Sequence, residues 1–153
     1  MPERHEPMPA GRGTVLGLDF GTRRVGVAVG DVETGIATAL GTIHAESNAG
    51  KLDGVAAHVA EWQPALLVLG EPVHADGGPH ETARLAHKFA NRLRERFKLP
   101  VEWCDETLSS HEAQVLLRER GFDARAAKDK LDALAAQIVL QSWLDRRREA
   151  HAA

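Results

Sequence analysis

The chain has a single cysteine, Cys104. That excludes a disulfide within the chain and a zinc site built on four cysteines, and it points to a reducing compartment. No stretch approaches the roughly 20 consecutive apolar residues that a membrane helix needs. Residues Met1 to Gly13 carry charges and three prolines but no apolar run, so they read as neither a signal peptide nor a membrane anchor. The cytoplasm is the expected location. Excess charge is missing too: 22 acidic residues against 19 Lys and Arg leave a net charge of −3. Bulk electrostatics does not draw such a chain to nucleic acid, so a nucleic-acid site has to come from local clustering of basic residues.

Several catalytic signatures are absent as well. No P-loop lysine follows a Gly-rich run, and the eight histidines show no HExxH spacing. Asp19-Phe20-Gly21 spells a kinase DFG triplet, but it lies near the N-terminus with no HRD loop before it. Ser109-Ser110 lacks the strained elbow of a hydrolase nucleophile. Cys104 stands beside Asp105, whose carboxylate disfavours a thiolate.

What remains is a chain of 153 residues, the length of one ordinary domain. Residues 1–13 read as a disordered N-terminal tail, 14–148 as one domain and 149–153 as a C-terminal tail. Thr14 to Phe20, Arg24 to Gly30 and Ile36 to His44 read as three strands joined by short turns, hence as an antiparallel meander. Leu52, Val55, Val59 and Trp62 then recur at helical spacing, with Pro64 just beyond. Ala65 to Gly70 is an apolar run suited to a strand buried on both faces. Glu81 to Phe97 reads as an amphipathic helix and Val101 to Cys104 as a short fifth strand. A capping-box pattern at Ser109 and Glu112 starts a helix to about Arg120, stopped by Gly121. A last helix is predicted from Ala124 to Arg147. The order β-β-β-α-β-α-β-α-α implies an α/β fold: a mixed five-stranded sheet, three antiparallel strands and then parallel ones, flanked by helices.

Three carboxylates stand out. Asp19 ends the first strand, Glu106 follows the fifth, and Asp132 interrupts the apolar helical run LDALAAQIVL. A carboxylate on a helix face that presses on a sheet is costly unless it is paired, protonated or bound to metal. Each acid has a plain structural alternative: a strand-end turn for Asp19, a helix N-terminus for Glu106, and an ion pair with Lys128 or a helix rim for Asp132. Together they suggest a site for hard cations, Mg²⁺ or Mn²⁺. Two such ions about 4 Å apart activate water and stabilise the leaving oxygen of a phosphodiester. Basic residues that could hold a polyanion recur at Arg84, Lys88, Arg92 and Arg96, one helical step of four apart. Arg118, Arg125, Lys128 and Lys130 form a second cluster near Asp132. The loop from Gly70 to Gly78, with His74 inside it and His80 beyond, follows a buried strand, a common place for ligand binding.

The segments LGLDFGTRRVGVAVGD, VLGEPVHADG, DETLSS and KDKLDALAAQIVLQSWLD occur in this order. Together they resemble the YqgF family, whose members are called Holliday junction resolvases or pre-16S rRNA nucleases. The resemblance runs from about Thr14 to Asp145. It implies an RNase H-like fold and a bacterial cytoplasmic nuclease that matures the 5′ end of small-subunit ribosomal RNA. Its partners would be precursor rRNA, with branched DNA as the alternative, and the small ribosomal subunit. Asp19, Glu106 and Asp132 match the family's acids and are the expected catalytic and metal-binding residues, with two Mg²⁺ or Mn²⁺ ions. Arg23, Arg84, Lys88, Arg92, Lys128 and Lys130 are the expected nucleic-acid contacts. Thr107 stands where the family usually has Arg, Glu71 interrupts the usual Gly-Leu-Pro, and His74-Ala75 replace Asn-Met. These departures fall on the substrate-contacting segments rather than on the acids. Glu71 itself is either a further metal ligand or an exposed strand-end acid. Two other readings are a non-catalytic RNA-binding or ribosome-binding module on the same fold and an actin-like phosphotransferase. The Asp-x-Gly-Thr turn is shared with the latter, but that class encloses nucleotide between two such domains.

Overall fold

The computed structural model describes residues 13–71, 80–105 and 124–152. Strands β1 (Thr14–Phe20), β2 (Arg24–Asp31) and β3 (Ile36–His44) are followed by α1 (Asn48–Trp62), β4 (Leu66–Glu71), α2 (His80–Phe97), β5 (Val101–Asp105) and α3 (Ala124–Ala152). The expected helix between Ser109 and Arg120, and most of the loop after Gly70, lie outside the described residues. No helix among the described residues is long and apolar enough to cross a membrane.

The strands form one sheet in the order β3-β2-β1-β4-β5. Short connections make β1, β2 and β3 antiparallel, while β4 and β5 return through helices and lie parallel to β1 and to each other. The central strands β1 and β4 are apolar from Val15 to Leu18 and from Leu66 to Leu69 because both faces are covered there. On one face, Leu16, Leu18, Val25, Val27, Leu67 and Leu69 pack with Leu52 and Val55 of α1 and Phe89 and Leu93 of α2. On the other, Val15, Ala28, Val68 and Cys104 pack with Val139, Leu140, Trp143 and Leu144 of α3.

Helix α1 is bounded by local chemistry. The Ser47 side chain caps its start by accepting from the Gly50 amide at 3.0 Å. Gln63 ends it in the left-handed conformation, and Pro64 follows. Helix α3 runs on to Ala152, past Arg147 and into the segment that sequence pattern assigns to a C-terminal tail. Polar helix formers carry it beyond the last apolar contact, so hydrophobic periodicity alone stops short of its end.

Candidate active site

Alternation along β1 places Val15, Gly17 and Asp19 on the face covered by α3. A Cβ on Gly17 would lie 2.8 Å from the Leu140 Cβ, which confirms how closely the helix approaches there. Asp19 is half-buried near the carboxyl end of β1 and pairs across the ladder with Gly26. At Gly26 α3 comes closer than at Gly17: a Cβ there would collide with the carbonyl oxygen of Asp132. The backbone of Asp132 therefore lies over the cross-strand partner of Asp19. The two residues come from opposite ends of the chain, and one glycine neighbours both.

Arg24 completes this arrangement. Two residues before Gly26, it shares the α3 face of β2, and its Nε donates to Asp132 Oδ2 at 2.7 Å across 108 residues of sequence. The pair is partly buried, with side-chain exposures of 34% and 22%. A carboxylate at the rim of an apolar helix face needs such a partner. The structure supplies Arg24 from the sheet as such a partner; the side chain of Lys128, the partner that local spacing offers, lies outside what is described.

Between Asp19 and Arg24 the chain makes a tight turn. The Gly21 amide donates to the Arg24 carbonyl at 2.8 Å, and a Cβ on Gly21 would lie 2.9 Å from the same oxygen. Thr22 and Arg23 are exposed at the tip. On the α1 side, the Lys51 ammonium group donates to the Thr22 carbonyl at 2.8 Å. Sequence reasoning singled out neither Arg24, Gly26 nor Lys51. The alternation that puts Arg24 and Gly26 beside Asp19 is visible in the sequence once the hairpin register is known. A lysine in the first turns of a helix carries no comparable signal.

Asp19 and Asp132 offer hard oxygen donors, the chemistry that suits Mg²⁺ or Mn²⁺. Among the described residues, no group of three or more His, Cys, Asp or Glu side chains converges to hold a metal ion. Glu106, the third expected acid, lies outside the described residues, as do Thr107 and His74. Glu71 is the last residue of β4 and pairs in register with Asp105 of β5. Cys104 is a buried core residue whose Sγ donates to the Val139 carbonyl at 3.5 Å.

The expected nucleic-acid contacts fall into three places. Arg23 lies in the turn beside Asp19. Lys128 and Lys130 occupy the first turns of α3, with Lys128 one turn before Asp132. Arg84, Lys88 and Arg92 are exposed along α2, which packs on the opposite face of the sheet from Asp19 and Asp132. Arg84 is also paired with Glu81. Helix α2 starts at the carboxyl end of β4 and runs back towards the start of β5, so Arg84 is nearest the acids' end of the sheet and Arg92 is farther away.

Comparison with known proteins agrees with this architecture. The solved structure of RuvC from Thermus thermophilus in complex with a Holliday junction substrate superposes with a TM-score of 0.58 at 18% identity, covering 89% of this chain and 96% of that one. The fold is thus RNase H-like. Among curated proteins, one named "Putative pre-16S rRNA nuclease" from Dechloromonas aromatica is 53% identical over 87% of this chain and 91% of its own length. Proteins of the same name from Methylobacillus flagellatus and Neisseria gonorrhoeae are each 47% identical, over 92% and 88% of this chain and 96% and 89% of their own lengths. A family model described as "RuvX: Holliday junction resolvase" matches residues 13–146. With the whole described sheet, α1, α2 and most of α3 inside that match, the chain belongs to the RuvX family.

Proposed function

We propose that this protein is a nuclease that hydrolyses phosphodiester bonds with the help of a divalent cation, and that its substrate is the precursor of small-subunit rRNA at its 5′ end. The observation that carries the reading is the placement of Asp19 and Asp132 about Gly26, at the carboxyl end of the central strand. The names of the relatives support the substrate. Asp19, Asp132 and Glu106 are the residues proposed to hold Mg²⁺ or Mn²⁺. Bound there, the cation supplies activation of water and stabilisation of the departing oxygen.

The chain's own residues do the rest. Water adds to phosphorus, one P–O bond breaks, and the leaving oxygen takes a proton. Arg24 holds the Asp132 carboxylate in place beside the strand end that carries Asp19. Arg23, exposed on the adjoining turn, is placed to meet a phosphate oxygen. Lys128 and Lys130, in the first turns of α3, and Arg84, at the start of α2, are the further proposed contacts.

Cleavage of a labelled rRNA precursor, with and without Mg²⁺, tests the reading. Asp19→Asn and Asp132→Asn should each lower the rate by at least about 100-fold, the scale of a lost transition-state contact. Equal rates in wild type and Asp19→Asn would end the assignment. The second reading, cleavage of branched DNA, is favoured by the family description and by the RuvC complex. A four-way DNA junction run beside the rRNA precursor separates the two by their kcat/KM. We also propose a cytoplasmic location and association with the small ribosomal subunit. Co-sedimentation with subunits from a lysate would test both.

A further inference from the structure

Lys51 is the buried charged side chain of the described core, only 2% exposed. Its Nζ donates to the carbonyl oxygens of Thr22 at 2.8 Å and Glu46 at 2.9 Å, and it lies 5.7 Å from the Phe20 ring centroid. An ammonium group taken out of water is expensive unless it is well partnered. Burial accordingly pulls its pKa below the ordinary lysine value, partly opposed by Glu46. Leucine or methionine would fill the same space without that cost, so packing does not explain the choice.

The carbonyls it holds do. Thr22 belongs to the turn between β1 and β2, and Glu46 to the connection between β3 and α1. The Ala45 amide joins the same two connections by donating to the Arg23 carbonyl at 3.1 Å. The turn they fasten separates Asp19 from Arg24, and Arg24 in turn holds Asp132. Arg24 and Gly26 govern the α3 side of this turn, while Lys51 governs the α1 side.

We propose that Lys51 is a positioning residue for the active site: its ammonium group clamps the Gly21–Arg23 turn to the start of α1, which sets Asp19 against Arg24 and leaves Thr22 and Arg23 facing the nucleic acid. The consequence for catalysis rests on the nuclease reading, but the clamp itself does not.

Lys51→Met and Lys51→Gln, with Val55→Ala as a buried reference on the same helix, test this in the full-length protein. Two measurements are made: amide exchange at Gly21 and Ala45, whose hydrogen bonds close the turn, and the split between kcat and KM. In Lys51→Met, exchange at Gly21 and Ala45 should rise about tenfold while Leu18 and Val27 keep their rates. kcat should fall about 10- to 100-fold, the effect of a small misplacement of reacting groups. KM should stay within about twofold. Lys51→Gln, which keeps a donor, should recover part of both effects, and it carries the comparison by itself should the methionine variant not fold. Val55→Ala should speed exchange without singling out the turn and should leave kcat near that of wild type. The proposal is overturned if Gly21 and Ala45 respond no more than Leu18 and Val27, or if a loosened turn leaves kcat unchanged. Should wild type cleave no nucleic acid, the nuclease reading fails, and the exchange measurement alone decides the clamp.

Discussion

Gly26 lacks a side chain because the carbonyl oxygen of Asp132 occupies the space that one would need. Gly26→Ala should therefore destabilise the protein by about 1 to 3 kcal/mol, the usual range for overpacking, since the obstacle is backbone and cannot rotate away. Gly41→Ala is the natural control, because a Cβ there would meet nothing within 4 Å. Chemical denaturation of the two variants reads the difference, and a Gly26→Ala midpoint equal to that of Gly41→Ala would contradict the packing described. Arg24→Met makes a different prediction. A partly exposed ion pair contributes only about 1 kcal/mol or less to stability. Cleavage should nevertheless fall well beyond that, because Asp132 loses the group that aims it. Carboxylates at a strand end or inside an apolar helical run are legible in sequence, since they break a pattern. Arg24, Gly26 and Lys51 conform to theirs, and only the register of the sheet shows what they touch.

Elements were legible where the apolar period was clean. The bounds of β1 and β3 agree with the pattern, and those of β2, β4, α2 and β5 differ from it by a residue at one end or both. Sequence could not show how edge strand β3 is held. Gln141 accepts from the Ala37 amide at 2.9 Å and donates to the Gly35 carbonyl at 2.8 Å, while Gln137 donates to the Ala37 carbonyl at 2.9 Å. Helix α3 thus occupies backbone groups that an edge strand would otherwise offer to another chain. Gln141→Leu should cost about 1 to 2 kcal/mol and should raise self-association as read by light scattering. Helix α1 carries a pH dependence. His58 has a buried Nδ1 with no hydrogen-bond partner among the described residues, and burial lowers its pKa below the ordinary 6.5, with Glu61 opposing. The unfolded chain therefore binds this proton more readily than the folded one. His58 takes nothing from stability well above pH 6.5 and progressively more as pH falls through and below that value. Thermal melts from about pH 7.5 down to about pH 5.5 should fall less steeply in His58→Leu than in wild type.

At the scale of the whole molecule, the sheet separates two surfaces that sequence alone runs together. Asp19 lies under α3 and Asp132 lies on it, while the regular basic stripe runs along α2 on the opposite face. A strand laid across the carboxyl end of the sheet reaches Arg23 directly and reaches only the start of α2. Alanine at Arg84, Lys88 and Arg92 should therefore weaken RNA binding in descending order. Each residue that contacts phosphate should reduce the slope of log affinity against log salt by about one. Equal effects at all three positions would mean that the nucleic acid runs along α2 instead.

Ribosomes make this chain from β1 towards α3, at about 5 to 20 residues per second. Asp19 and Arg24 emerge early, but the helix that carries Asp132 and covers Val15, Ala28 and Val68 comes last among the described elements. A nascent chain in which α3 has not yet emerged holds Asp19 without Asp132 and has an uncovered apolar face. Chains cut short before Ala124 lack the cover of that face and should be prone to aggregate.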